Sequence, residues 1–96
     1  MVVAESTVEI RTPARYMARL CNHFAHRCTV TRGDEHSVVE FPGSARCLLD
    51  AGADTLRLRI EAPDAATLER LQEVVARHLK QVAAHETFEI EWSEAS

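Results

Sequence analysis

Aromatic residues are scarce: one Trp, one Tyr and three Phe in 96 residues. So few rings exclude a base-stacking platform for single-stranded nucleic acid. Cationic residues are outnumbered as well. Eleven Lys and Arg face fifteen Asp and Glu, for a formal charge of −4. A net-acidic chain lacks the cationic surface on which sequence-independent nucleic-acid binding depends. No apolar run approaches the roughly 18–20 residues of a membrane-spanning helix, so no membrane segment is expected. The stretch from Met1 to Glu5 has neither a basic region nor a long apolar run. That argues against a secretory signal and for the cytoplasm. The three cysteines, Cys21, Cys28 and Cys47, are odd in number and irregularly spaced. They suggest no disulfide framework and fit a reducing compartment. G-x-S-x-G, a glycine-rich phosphate loop and a paired-carboxylate pattern are all missing.

What is there suits one small domain spanning residues 1–96, with residues 93–96 as a frayed tail. The chain is 46% hydrophobic and 27% charged, too apolar for disorder. A chain of this length buries roughly 60–70% of its unfolded surface, enough for one thin core.

Periodicity divides the chain. Residues 5–11 alternate, with Ser6, Val8 and Ile10 on one face and Glu5, Thr7, Glu9 and Arg11 on the other, which predicts a half-buried strand. Thr12-Pro13 reads as an N-cap followed by proline in the first helical position. The helix it opens runs to about Arg27, with Tyr16, Met17, Leu20 and Phe24 on one stripe. Strands follow over 28–32, 36–41, 45–50 and 55–61, separated by turns at Gly33, Gly43 and Gly52. A second helix starts after Asp64 as N-cap. It carries Leu68, Leu71, Val75, Leu79 and Val82 inward, and pairs Glu73 with Arg77 on the outside. The last strand is expected over 86–92, with Phe88, Ile90 and Trp92 inward. The order β-α-β-β-β-β-α-β predicts a two-layer α+β sandwich. Its sheet is largely antiparallel with both helices on one face. The other face would carry a mixed-sign ladder of Glu5, Glu9, Arg57, Arg59, Glu89 and Glu91.

One segment concentrates chemistry. Cys21, His23, His26 and Cys28 form a C-x-H-x-x-H-x-C string, four potential ligands in eight residues. Helix geometry separates them. At about 100° per residue, Cys21 and His23 fall on opposite flanks of the apolar stripe. His23 and His26 are about 60° apart and could share a metal. A third ligand must then come from elsewhere, with Cys28, His36, Glu40 and Cys47 as candidates. Imidazole with thiolate suits zinc or iron. The competing reading makes the histidines hydrogen-bonded helix-end residues and the cysteines small core residues. His78, at the edge of the second apolar stripe, reads the same way, and His85 is placed for the last carbonyls of its helix.

The same segment is unbalanced in charge. Between Ile10 and Gly33 there are five arginines and no acid, which leaves −9 on the remaining residues. Arg15, Arg19, Asn22 and His26 share one polar stripe of the first helix, a candidate anion-binding face. The alternative is a solvated face neutralised by acids of the sheet.

The strings Leu20-Cys21-Asn22-His23-Phe24-Ala25-His26-Arg27, Val39-Glu40-Phe41-Pro42-Gly43, Cys47-Leu48-Leu49 and the stretch from Leu71 to Leu79 resemble the bacterial domain-of-unknown-function 2218 family. The resemblance runs from the first strand to Trp92, and its most specific part is L-C-x-H-F-A-H-[KR]. The family's usual F-P-x-G is shortened here to Phe41-Pro42-Gly43-Ser44. Members are often encoded beside, or fused to, siderophore-interacting flavin reductases. The resemblance therefore implies a role near ferric-siderophore handling, with such a reductase as partner. It supplies no catalytic residue; His23, His26 and Cys47 are matching positions.

Three readings stand open. The first is a small accessory module, in iron or siderophore metabolism, that binds an anionic small molecule through His23, His26, Arg15 and Arg19, or a zinc or iron ion through His23, His26 and Cys47. The second is a ligand-free interaction or homodimerisation domain. The third is an enzyme with Cys47 as nucleophile beside one of the histidines, which no local signature supports.

Overall fold

A computed structural model describes residues 1–95. Every strand expected from alternation in the first two thirds of the chain is present. The elements are β1 (Val2–Glu9), α1 (Pro13–Phe24), β2 (Thr29–Thr31), β3 (His36–Phe41), β4 (Ala45–Ala51), β5 (Thr55–Ala62), α2 (Ala65–Val82) and β6 (Ser93–Ala95). The six strands form one antiparallel sheet in the order β2-β3-β4-β5-β1-β6. The fold is thus an α+β two-layer sandwich, as its periodicity predicts. No described helix is long and apolar enough to cross a membrane.

Both helices lie on one face. α1 packs on β3, β4 and β5, α2 on β5 and β1, and the helices touch each other. Their stripes supply half of the core: Met17, Leu20 and Phe24 from α1, and Leu68, Leu71, Val75 and Leu79 from α2. The sheet supplies the other half through Val8, Val39, Leu49, Leu56, Leu58 and Ile60.

The helix starts differ. The Asp64 carboxylate accepts from the Thr67 amide at 2.8 Å, as expected of an N-cap, and this bond holds its pKa below the usual carboxylate value. Thr12 does not cap through its side chain. It sits in the left-handed region at φ 48°, and its carbonyl accepts from the Arg15 and Tyr16 amides instead. Pro13 at the first helical position removes one of the orphan donors that a side-chain cap would otherwise serve. α1 also ends earlier than expected, at Phe24, in a turn whose Cys28 amide donates to the Phe24 carbonyl at 2.9 Å.

The end of the chain departs most. Residues 86–92 are not a strand, although Phe88, Ile90 and Trp92 pack against the core as their alternation requires. Pairing begins only at Ser93, opposite Glu5 on β1. Alternation reports which side chains are covered, not whether the backbone finds a partner. The expected frayed tail is accordingly strand over 93–95, and Ser96 lies outside the described residues.

The face away from the helices is held by charge. Register places Glu5 opposite Arg59 and Arg46 opposite Glu61. Arg59 bridges Glu5 at 2.8 Å and Glu61 at 3.1 Å, and Arg46 reaches Glu61 at 2.5 Å. Of the expected mixed-sign ladder only Glu5 and Arg59 pair, joined by Arg46 and Glu61, while among the described residues Glu9, Arg57, Glu89 and Glu91 form no ion pair. The two guanidinium groups, Arg46 first, hold the Glu61 carboxyl below the ordinary carboxylate value.

A depressed carboxylate stabilises the fold above its unfolded-state pKa, and that stability is lost as pH falls. Unfolding free energy should thus drop as pH falls below the ordinary value of 4.5, and Glu61→Gln should show a shallower drop. An unchanged slope in denaturant titrations would remove Glu61 from the acid response. Leu79, fully buried on α2, should cost about 2–5 kcal/mol when cut to alanine, read as a lower urea midpoint.

Candidate ligand-binding site

Where α1 ends, the chain turns beside the middle of α2 and the β3–β4 turn, and a cleft of about 580 Å³ opens. Its floor is apolar: Phe24 from α1, Phe41 and Pro42 from the end of β3, and Leu71 and Val74 from α2. Its polar lining is His23 from the end of α1, His26 and Arg27 from the turn that follows, and Arg77 and His78 from α2, with Cys28 beside them. No Asp or Glu lines it.

The rings on the floor and wall touch. His23 and His78 lie 4.5 Å apart between ring centroids, Phe24 and His78 5.1 Å, and Phe24 and Phe41 5.3 Å with planes 77° apart. Such tilted and edge-to-face pairs are the favoured aromatic geometry. His78 Nδ1 is 2.6 Å from the Val74 carbonyl. A carbonyl can only accept, so Nδ1 carries the proton and donates, which leaves Nε2 uncommitted.

The arginines are free to act on a ligand. Among the described residues neither Arg27 nor Arg77 forms an ion pair. The expected Glu73–Arg77 pair is among those not formed. His23, His26 and Arg27 sit where the carbonyl end of α1 carries partial negative charge, which accounts for some of their number. Arg77 and His78 stand five and four residues before Val82, the end of α2, just outside the last turn in which a helix terminus favours cations.

Of the residues singled out by sequence, His23 and His26 line this cleft. Arg15 and Arg19 do not. They lie nearer the start of α1; at 1.5 Å per residue Arg15 is about 12 Å along the axis from His23. Arg19 instead sits over the Tyr16 ring at 5.7 Å. Cys47 is also elsewhere: it is buried in the core on β4, away from the lining of the cleft. Its alternation on the strand turns it under the helices rather than toward the helix end. Among the described residues, no three His, Cys, Asp or Glu side chains are grouped to hold a metal ion. His36, a third-ligand candidate, pairs with Asp50 on the neighbouring strand.

Burial pushes the Cys47 thiol up to about 12, with Cys21 adding to the effect. A nucleophilic cysteine needs the opposite shift. Burial also raises the Cys21 and Cys28 thiols.

Arg27, Arg77 and His78 escaped sequence reading as site residues. Their signal was weak: His78 at the edge of an apolar stripe, with an arginine directly before it. Only the packing of α2 beside α1 puts Arg77 and His78 opposite His23. A second depression of about 470 Å³ lies near Arg11, His85 and Glu86. There Arg11 is already taken by Glu86 at 3.2 Å, Tyr16 donates to the same carboxylate, and Glu9 and Asp54 stand alongside. It offers an anion nothing.

The model of a family described as an uncharacterized protein conserved in bacteria (DUF2218) matches residues 5–93. The chain belongs to this family. A solved structure with the same fold is the NMR structure of PA4090 from Pseudomonas aeruginosa. It is 34% identical, with a TM-score of 0.81 over 97% of this chain and 96% of that one. No curated protein matches the chain. The membership agrees with the resemblance carried by the L-C-x-H-F-A-H-R string, which supplies His23 and His26 to the cleft.

Thiol accessibility separates the cysteines. Cys28, half-buried at the cleft, should react with a thiol reagent in the folded protein, and Cys47 only as the protein unfolds. Modification of Cys47 in the native state, seen by peptide mass mapping, would restore the nucleophile reading.

Proposed function

We propose that the protein is a small accessory binding module that takes an anionic small molecule in the cleft between α1 and α2. The observation that carries this reading is the lining: two unpaired arginines and three histidines around an apolar floor, with no carboxylate. Arginine presents a planar fork of donors suited to a carboxylate or phosphate. The half-enclosed apolar floor lowers the local dielectric and strengthens each charge on the rim. The basic face expected on α1 thus shifts toward its C-terminal end, with Arg27 and Arg77 in the place first given to Arg15 and Arg19.

The setting we propose is iron or siderophore metabolism, with a siderophore-interacting reductase as partner. Its support is the family resemblance. Ferric siderophores are often anionic, which suits an arginine–histidine cleft. Concavity favours a ligand over a docking or dimer surface, since interfaces between proteins need a broad contact area.

Acetate and inorganic phosphate, titrated into labelled full-length protein, should move the amide and ring signals of His23, His26, Arg77 and His78. Arg27→Gln and Arg77→Gln should each weaken the response about tenfold. Shifts confined to Arg15 and Arg19 would sink the cleft as the site. Metal analysis of protein made without a histidine tag tests the zinc or iron alternative. One bound equivalent that is lost in His23→Ala would replace the anion reading.

A further inference from the structure

We infer that the cleft takes an aromatic carboxylate, a planar ring bearing a single negative charge. This rests on the anion-binding reading above and narrows it to a ligand class. The chain has few aromatic residues, yet two of its three Phe meet here with two histidines. Two of these rings, Phe24 and Phe41, are edge-to-face at 5.3 Å. Phe24 is buried and Phe41 half-buried, so Phe41 is the ring of the pair with surface left for an incoming ring, and an aromatic contact there adds attraction beyond buried area that a saturated ring does not receive. The volume of about 580 Å³ is in the range of small-molecule sites and admits one or two fused rings.

Charge sets the other end. Arg27 and Arg77 stand on different elements on the rim of an apolar floor, so a ligand must be apolar at depth and anionic at the mouth. A carboxylate fits one guanidinium through two parallel hydrogen bonds. A dianionic phosphate is less suited. Phosphate sites draw on helix N-termini, whereas this cleft borders the C-terminal end of α1, where partial negative charge opposes a second charge on the ligand.

The test is an NMR titration of the full chain with 2-naphthoate, cyclohexanecarboxylate, acetate and phenyl phosphate. Naphthoate should bind about tenfold more tightly than cyclohexanecarboxylate, with ring-current shifts at the Leu71 and Val74 methyls. Phe41→Leu should bring naphthoate down to the affinity of cyclohexanecarboxylate, and Arg77→Gln, an exposed substitution, should weaken naphthoate about tenfold. Cyclohexanecarboxylate binding as well as naphthoate would overturn the aromatic ligand and leave the anion reading standing. Phenyl phosphate binding more tightly than naphthoate would overturn the carboxylate. If none of the four anions moves a cleft signal, both readings fall together.

Discussion

The constraint on which the structure depends is that two amphipathic helices must bury their stripes on the same face of one sheet. A chain of 96 residues has apolar surface for one core only. Leu20 on α1 and Leu79 on α2 are both fully buried, above Leu58 and Ile60 of the central strand β5. Covering one face leaves the other wet. There the strands are held by cross-strand charge, with Glu61 between Arg46 and Arg59, a contribution that weakens with acid and is modest beside the core.

The cleft follows from the same packing. α1 is shorter than α2, 12 residues against 18. Where α1 stops at Phe24, α2 continues, and its Leu71, Val74 and Arg77 flank lacks a helix beside it. The turn after α1 and the β3–β4 turn fill the gap in part and leave the remainder open. A helix end is where basic residues are tolerated, so His26 and Arg27 arrive at the opening for a local reason. Arg77 and His78 stand before the last turn of α2, and the proposal of a ligand cleft rests on their presence there.

Cysteine chemistry recedes correspondingly. Cys47 belongs to the core, and burial holds its thiol far above the pKa that would make it reactive. Cys21, on the inner side of α1, is fully buried. The C-x-H-x-x-H-x-C string therefore splits by helix geometry: its first cysteine turns inward, its histidines face the cleft, and its last cysteine sits in the turn.

The sequence by itself determined the elements and their buried faces. Leu56, Leu58 and Ile60 alternate, and Leu68, Leu71, Val75 and Leu79 recur at helical spacing, because burial acts on each side chain through the local backbone period. It also put His23 and His26 close together at the end of the first helix, although His26 falls in the turn after Phe24 rather than on the helix itself. Tertiary structure alone decided the rest. That β1 lies between β5 and β6 depends on backbone partners half a chain or more apart, and no local period encodes a partner. For the same reason residues 86–92 alternate in burial without pairing. The site was half legible on these terms. His23 and His26 can be read from their closeness in the chain at one helix end, but Arg77 and His78 join them only because α2 is laid beside α1, a choice made by the shared core rather than by either helix.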